Sequence, residues 1–376
     1  MDGSPSAVSG KSWHTVGMQL DEYRVSKWLG MMVDKDKVPK DEVQLSGLLT
    51  APNAATVTAV QHLGGDLLIL GAGGKMGPSL ALLAQRSIQA AGLSHTVHCV
   101  SRFKSPDIVH ELVSAGVRIT SADLLQPGAI DALPDTPNVI HLAGMKFGTS
   151  GAESLTWMLN TFLPGLVARR FITSRIVVLS TGNVYPFVPV VSGGATEQTP
   201  VAPFGDYAQS CVGRERMFQY GSVNNGTPVV ILRLNYANDL RYGVLHDIAQ
   251  RVLANEAIDL GMGNINVIWQ GDANRVILQS FAACASPARV LNLSGPETLS
   301  VRWVAEQFGG IFGSPPLFSG VESGNALLSN TAECQHLFGY PQISPLKMIQ
   351  WTAQWIQQGG RSLAKPTHFE TRDGKY

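Results

Sequence analysis

The sequence predicts an α/β protein built on a doubly wound parallel sheet, with a smaller C-terminal lobe and an N-terminal helical appendage. Three observations lead there. A strand-like run, Leu67-Leu68-Ile69-Leu70, passes directly into the glycine cluster Gly71-Ala72-Gly73-Gly74-Lys75-Met76-Gly77 and then into a helical segment from Pro78. From 67 to about 240, strand-sized apolar runs alternate with helix-sized amphipathic segments. Beyond 240 the elements shorten and turns become frequent, as in a separate small lobe.

Each element can be justified in order. Residues 1–15 read as a polar tail and 18–33 as an amphipathic helix with Leu20, Tyr23, Trp28 and Met31 on one side. A short helix over 41–49 stops before Pro52, and Asn53 caps another through Val57, Val60 and Leu63. Gly64 and Gly65 end this appendage, so residues 1–65 precede the first strand. Strands are expected at 67–70, 96–101, 118–120, 139–142, 176–180 and 228–234, and helices at 78–91, 106–115, 153–170 and 206–220. The sheet domain is therefore assigned to 66–240, and 241–376 mainly to the small lobe. A late strand end falls near Asn292–Gly295, a last helix over 345–357, and a polar surface tail from Gly359.

The glycine cluster carries the chemistry. A tight turn between a buried strand and a helix start presents free N–H groups and the positive end of a helix dipole, which together suit a pyrophosphate. Gly71, Gly74 and Gly77 fall at a three-residue repeat, and Pro78 suits the first helical turn.

Composition excludes several classes. Lys+Arg and Asp+Glu are 28 each, which argues against electrostatic binding of nucleic acid or acidic membranes. The four cysteines, Cys99, Cys211, Cys284 and Cys334, form no CxxC pair, so neither a zinc site nor a disulfide framework is expected. No apolar run approaches the roughly eighteen residues of a membrane span. The chain reads as soluble and cytoplasmic, acting on a small molecule.

Several motifs fall in one order: Gly71-x-x-Gly74-x-x-Gly77, Asp123-Leu124, His141-Leu142-Ala143-Gly144, Asn160, Leu179-Ser180-Thr181-x-x-Val184-Tyr185 and Tyr207-Ala208-Gln209-Ser210. On these the chain resembles the extended short-chain dehydrogenase/reductase family, in particular its NAD(P)-dependent epimerase/dehydratase group, over about 66 to 355. The resemblance implies a Rossmann sheet in which Gly71, Gly74, Lys75, Met76 and Gly77 hold the pyrophosphate. It implies that Asp123 and Leu124 border adenine, and that Leu142, Ala143 and Gly144 border ribose and nicotinamide. Tyr207 becomes the proton-transfer group and Thr181 the hydroxyl that holds the reacting oxygen. A homodimer through helices 153–170 and 206–220 is also implied.

Two positions modify that picture. The second strand ends in Ser101-Arg102-Phe103-Lys104, with no carboxylate for ribose hydroxyls, so Arg102 pairing with a 2′-phosphate favours NADP, with NAD the alternative. The family's Tyr-x-x-x-Lys is Tyr207-x-x-x-Cys211 here. Cysteine supplies no fixed charge to lower the phenol pKa, and a phenol near pKa 10 is about 0.1% ionised at neutral pH, about 4 kcal/mol from being an available base. Lys146, just after the fourth strand, is the substitute cation expected over the nicotinamide end; Arg214 is expected to face a neighbouring helix instead. Arg241, Tyr242 and Arg275 are candidate anion contacts. Three functions fit: an NADP-linked oxidoreductase acting on a nucleotide sugar or small polar ketone, a cofactor-binding protein without redox turnover, and a non-redox isomerase or lyase.

Overall fold

A computed structural model describes residues 38–146 and 148–374. The expected tail over 1–15 and helix over 18–33 lie outside the described residues. Helix α1 (Glu42–Leu49) starts one residue later than expected, with Asp41 as its cap, and α2 (Ala54–Gln61) follows the predicted cap Asn53. Asp41 Oδ1 accepts from Gln44 N at 2.8 Å, and Asn53 and Thr56 form a reciprocal capping box. Gly64 ends the appendage at φ +66.

Seven parallel strands form the central sheet: β1 (Leu67–Leu70), β2 (Val97–Ser101), β3 (Arg118–Ser121), β4 (Asn138–His141), β5 (Arg175–Thr181), β6 (Val229–Leu234) and β7 (Arg289–Leu293). Their spatial order is 7-6-5-4-1-2-3. The order reverses between β1 and β4, and ligands bind at such a switch point, beyond the carboxyl ends of the strands. β1 and β4 are buried along their whole length; β1 therefore reads as a continuous apolar run, while β4 holds Val139 and Ile140 between the buried Asn138 and His141. One face is covered by α2, α3 (Gly77–Ala90), α4 (Pro106–Ser114), α9 (Gln270–Gln279) and α11 (Ala332–Phe338). The other packs on α6 (Leu163–Arg170) and α7 (Gly205–Asn225), with Leu163, Val167, Phe171 and Phe218 filling the layer.

Two differences from expectation have physical causes. The predicted single helix over 153–170 is α5 (Glu153–Trp157), a π-helical turn over Met158–Phe162, and α6. Widened turns of this kind gather at functional positions, and this one holds the buried Asn160. Helix α7 runs to Asn225, past the expected 220, because nothing breaks it before Gly226 adopts a left-handed φ of +71. After 240 the chain also returns to the sheet: β7 pairs with β6, near the expected late strand end, and α9 packs on α3.

The small lobe is built from α8 (Val244–Leu253), α10 (Val301–Phe312) and α12 (Pro345–Gln357) around Trp269, Trp351, Trp355 and Phe308. α1 contributes Leu45, Leu48 and Leu49 to this core, and Glu42 pairs with Arg241 at 2.6 Å. The described part of the appendage, from residue 38, is thus bound to both halves of the molecule.

The polar C-terminal segment, expected on the surface, folds back over this lobe instead. Phe369 is 1% exposed, and Asp247 accepts from both the amide and the hydroxyl of Thr367 at 2.7 and 2.6 Å. The buried aromatic ring and the two hydrogen bonds account for the difference.

Among the described residues no helix is long and apolar enough to cross a membrane. Nor does any group of three or more His, Cys, Asp or Glu among them fit a metal ion.

Candidate active site

The carboxyl ends of β1, β4, β5 and β6 open on one cavity of about 360 Å³. β1 enters its turn at Gly71, φ +86, where an added Cβ would stand 2.5 Å from the amide nitrogen of Ala143. Only glycine lets the exits of β1 and β4 approach so closely. At Gly77 a Cβ would meet the Ala72 carbonyl oxygen at 2.2 Å, so this glycine lets α3 pack on its own turn. At Gly74 the nearest atom to an added Cβ is Gly71 O at 3.4 Å, so this position has room. No side chain caps the start of α3, leaving the first-turn N–H groups of the helix for a ligand. These features fit a pyrophosphate.

Gly71, Gly74, Lys75, Met76, Gly77, Leu142, Gly144, Lys146, Thr181 and Tyr207 all line this cavity, as does Tyr242. Ser101, Arg102, Asp123, Leu124 and Ala143 are not in that lining. Ser101 is adjacent to it, its Oγ lying 2.7 Å from where a Cβ of Gly73 would be. Arg102 and Lys104 are exposed beyond β2. Asp123 accepts from Leu125 N at 3.1 Å in the turn after β3, beside the buried Leu124.

The reacting end is assembled by α7. Tyr207 is 7% exposed and Cys211 fully buried one turn later. Burial pushes the Cys211 thiol pKa up, against the opposing pull of Arg214, a hydrogen bond from the Tyr207 hydroxyl, and Lys146. The charge of Lys146, in the cavity wall, thus reaches the buried Cys211 behind it. Thr181 sits at the end of β5, where its hydroxyl donates to Asn183 Oδ1 at 2.9 Å and accepts from Asn183 N at 3.2 Å. The Thr181 proton is thus held within its own turn, while the side chain remains in the cavity wall.

Arg214 meets the neighbouring helical segment as expected, through Asn160, and its guanidinium also lines the cavity at the sheet ends. Nη1 donates to Leu179 O and Nη2 to Asn160 Oδ1, both at 2.7 Å, while the buried Nε has no partner among the described residues. Asn160 also accepts from Met145 N at 2.8 Å and donates to Met145 O at 2.9 Å, which fixes the strand-exit loop that carries Lys146. No periodicity in the sequence reveals this clamp, because the π turn aims Asn160 inward. A fixed cation spaced seven residues after Tyr207, on the same face of α7, was the signal available.

Two other candidates lie elsewhere. Arg275 pairs with Asp272 at 2.6 Å on α9, outside the cavity. Arg241 is occupied by Asp239 and Glu42 at 2.8 and 2.6 Å. Both serve structural ion pairs, because each guanidinium is matched locally by a carboxylate.

Lys75 and Lys146 are the electrostatically costly groups. Lys75 donates to Ala237 O at 2.9 Å and stands 3.7 Å from the Tyr242 ring centre. Burial lowers its pKa to about 7, offset in part by Asp239 and reinforced by Lys146. Burial lowers Lys146 to about 8, with Cys211 and Asp247 opposing. Both folded values lie below the ordinary lysine value, so the unfolded chain holds more protons between about pH 7 and 10.5, and folding stability from these groups rises across that window. Anion binding has the opposite sign, because it needs the protonated forms. Dinucleotide affinity is therefore expected to fall as pH rises from 6.5 to 9, with net proton uptake on binding. Calorimetry in two buffers of different ionisation enthalpy measures that uptake, and a pH-independent affinity would contradict the assignment.

Comparison with known proteins agrees with this geometry. The model of the NAD dependent epimerase/dehydratase family matches residues 67–261. No curated protein sequence matches the chain. Among solved structures, MoeE5 in complex with UDP-glucose and NAD is 18% identical, with TM-score 0.63 over 78% of this chain and 99% of that one. UDP-glucuronic acid 4-epimerase from Bacillus cereus, in complex with UDP-glucuronic acid and NAD, is likewise 18% identical, with TM-score 0.63 over 78% and 99%. UDP-glucose 4-epimerase from Thermotoga maritima, with UDP-glucose, is 15% identical, with TM-score 0.64 over 78% and 99%. With a glycine turn at the switch point, a tyrosine and a threonine in one cavity wall, and a family model spanning most of the sheet domain, the chain belongs to the NAD-dependent epimerase/dehydratase family.

Proposed function

We propose that the protein is a nicotinamide-dependent oxidoreductase of the epimerase/dehydratase type, acting at a hydroxyl or carbonyl carbon of a nucleotide sugar. The observation that carries this reading is the convergence of the glycine turn, Thr181, Tyr207 and Lys146 on one cavity. The UDP-sugar complexes of the structural neighbours support the substrate class. When bound, the nicotinamide supplies the hydride acceptor and donor. Tyr207 moves the proton at the substrate oxygen, and Thr181 positions that oxygen once its hydroxyl proton turns from Asn183 Oδ1 into the cavity. Lys146 contributes the positive charge that Cys211 does not.

NADP is the proposed cofactor, supported by the absence of a carboxylate at the end of β2 and by the exposed Arg102. Arg102→Ala is expected to weaken NADP+ about tenfold, roughly the loss of one charge-assisted hydrogen bond, and to leave NAD+ unchanged. Fluorescence titration with both dinucleotides checks this. A homodimer is proposed through α5–α6 and α7, whose outer side exposes Trp157, Met158, Phe162, Tyr220 and Val223. Sedimentation velocity reads the dimer directly.

Incubation of the full-length protein with UDP-glucose, UDP-galactose and UDP-glucuronate, followed by chromatography of the sugars, tests the activity. Cys211 at the family's lysine position favours a second reading, a cofactor-binding protein without redox turnover. Tight dinucleotide binding with every sugar recovered unchanged would select that reading.

A further inference from the structure

The wall of the active-site cavity is electrostatically one-sided. Four cationic side chains line it, Lys75, Lys146, Arg214 and Lys365, and no carboxylate does among the described residues. The nearest acidic groups stand behind the wall with partners of their own. Asp239 is paired with Arg241, and Asp247 accepts twice from Thr367. Three of the cations come from the sheet domain. The fourth comes from the C-terminal strap, and nothing in the glycine turn or the tyrosine motif accounts for it.

The strap is fastened on both sides of Lys365. Before it, Leu363 N donates to Arg241 O at 3.0 Å, and Ser362 Oγ lies 3.0 Å from His246 Nε2. After it, Thr367 holds Asp247, Phe369 is buried, and Glu370 pairs with Arg251 at 2.6 Å. Ala364 and His368 both take positive φ, +50 and +53, a backbone that costs free energy in residues other than glycine. Two unfavourable turns flank the short span Lys365-Pro366-Thr367 and aim it at the cavity. Lys365 itself is exposed and has no hydrogen-bond or ion-pair partner among the described residues. Beside it, the start of α8 also opens on the cavity. Gly243 and Val244 line it, and of the first-turn N–H groups that of Leu245 is held by Asn238 Oδ1 at 3.2 Å. The positive end of the helix dipole and an ammonium facing the same space suit one anion.

We propose that Lys365, carried in by the C-terminal strap, binds an anionic group of the substrate, a phosphate or a carboxylate, at the small-lobe side of the cavity. This rests on the oxidoreductase reading for the identity of the substrate, but not for the existence of the anion site. Lys365 sets specificity and takes no part in the proton transfer assigned to Tyr207.

The test uses the full-length wild type, Lys365→Ala and Lys365→Arg. Each is titrated calorimetrically with UDP, UDP-glucose, UDP-glucuronate, glucuronate and glucose 1-phosphate, and separately with NADP+ and NAD+. The expected result is about tenfold weaker binding of the anionic ligands to Lys365→Ala, recovery in Lys365→Arg, and dinucleotide affinities within about twofold of wild type. A loss confined to UDP-glucuronate and glucuronate assigns a carboxylate, and a loss for every phosphate-bearing ligand assigns a phosphate. Equal affinities in wild type and Lys365→Ala overturn the proposal while leaving the nucleotide-sugar reading intact. An equal loss for the dinucleotides also overturns it, since Lys365 would then serve the cofactor. Binding of glucuronate or glucose 1-phosphate without any UDP ligand supports the anion site and removes the nucleotide-sugar reading. Binding of none of the five by the wild type removes both.

Discussion

Replacing Tyr207 by Phe is expected to lower turnover by about 10²–10⁴-fold, the range ascribed to a positioned general acid or base. The change removes one oxygen from a side chain that is 7% exposed, so packing is nearly conserved and folding should be unaffected. Dinucleotide affinity should stay within about twofold, which separates loss of chemistry from loss of cofactor. The size of the effect depends on how the phenol is ionised without the family's lysine. At pKa near 10 an unassisted phenolate costs about 4 kcal/mol at neutral pH. A nearby cation offsets part of that, and Lys146 is the lysine whose charge reaches Cys211, alongside the Arg214 guanidinium. Lys146→Met should therefore slow the step that needs phenolate more than the step that needs phenol. Steady-state rates in both directions measure the split. Full activity in Tyr207→Phe would remove Tyr207 from the chemistry and favour the non-catalytic reading.

Glu215→Ala is expected to destabilise the fold by about 3–5 kcal/mol, the cost of leaving a buried charge without its partner. Glu215 and Arg233 are 2% and 5% exposed and form a two-pronged pair, Nη2 to Oε2 at 2.7 Å and Nε to Oε1 at 3.0 Å. Ser180 Oγ also donates to Oε1 at 2.6 Å, while Arg233 Nη1 donates to the Tyr185 hydroxyl at 2.7 Å and that hydroxyl donates to Asn292 Oδ1 at 2.8 Å. The network therefore ties β5, α7, β6 and β7 together directly beneath the cavity. Truncation strands the guanidinium and removes the acceptor for Ser180 at once. Glu215→Gln keeps one acceptor oxygen and should cost less. Urea unfolding of the three proteins gives the ordering, and a loss below about 1 kcal/mol in Glu215→Ala would show that the pair is solvated rather than buried. Activity should fall with stability, because Ser180 precedes Thr181 on the strand that positions it.

Much of this architecture was legible in the chain. β1, β4 and β6 are buried on both faces, so each carries consecutive apolar residues, interrupted only by Asn138 and His141 in β4 and Arg233 in β6, and each falls within two residues of the expected boundary. Asp41 and Asn53 announce their helices because a cap is a local interaction between residues three apart. The glycine spacing reports a local geometric need, which the close approaches at Gly71 and Gly77 explain. The order of motifs along the chain placed Thr181 and Tyr207 at strand and helix ends that meet in one wall.

Other features have no local signature. Arg214, Arg241 and Arg275 are equivalent as letters, yet one lines the cavity and two are consumed by carboxylates brought in by other segments or by the preceding turn. The inward aim of Asn160 depends on one widened helical turn. The C-terminal strap carries too little apolar periodicity to read as structure, and it is ordered by partners on α8 and in the small lobe that lie far away in sequence. Strand, turn and cap preferences are decided within a few neighbouring residues, so they can be read along the chain. Which charge meets which partner depends on long-range packing and desolvation, and only the assembled molecule decides it.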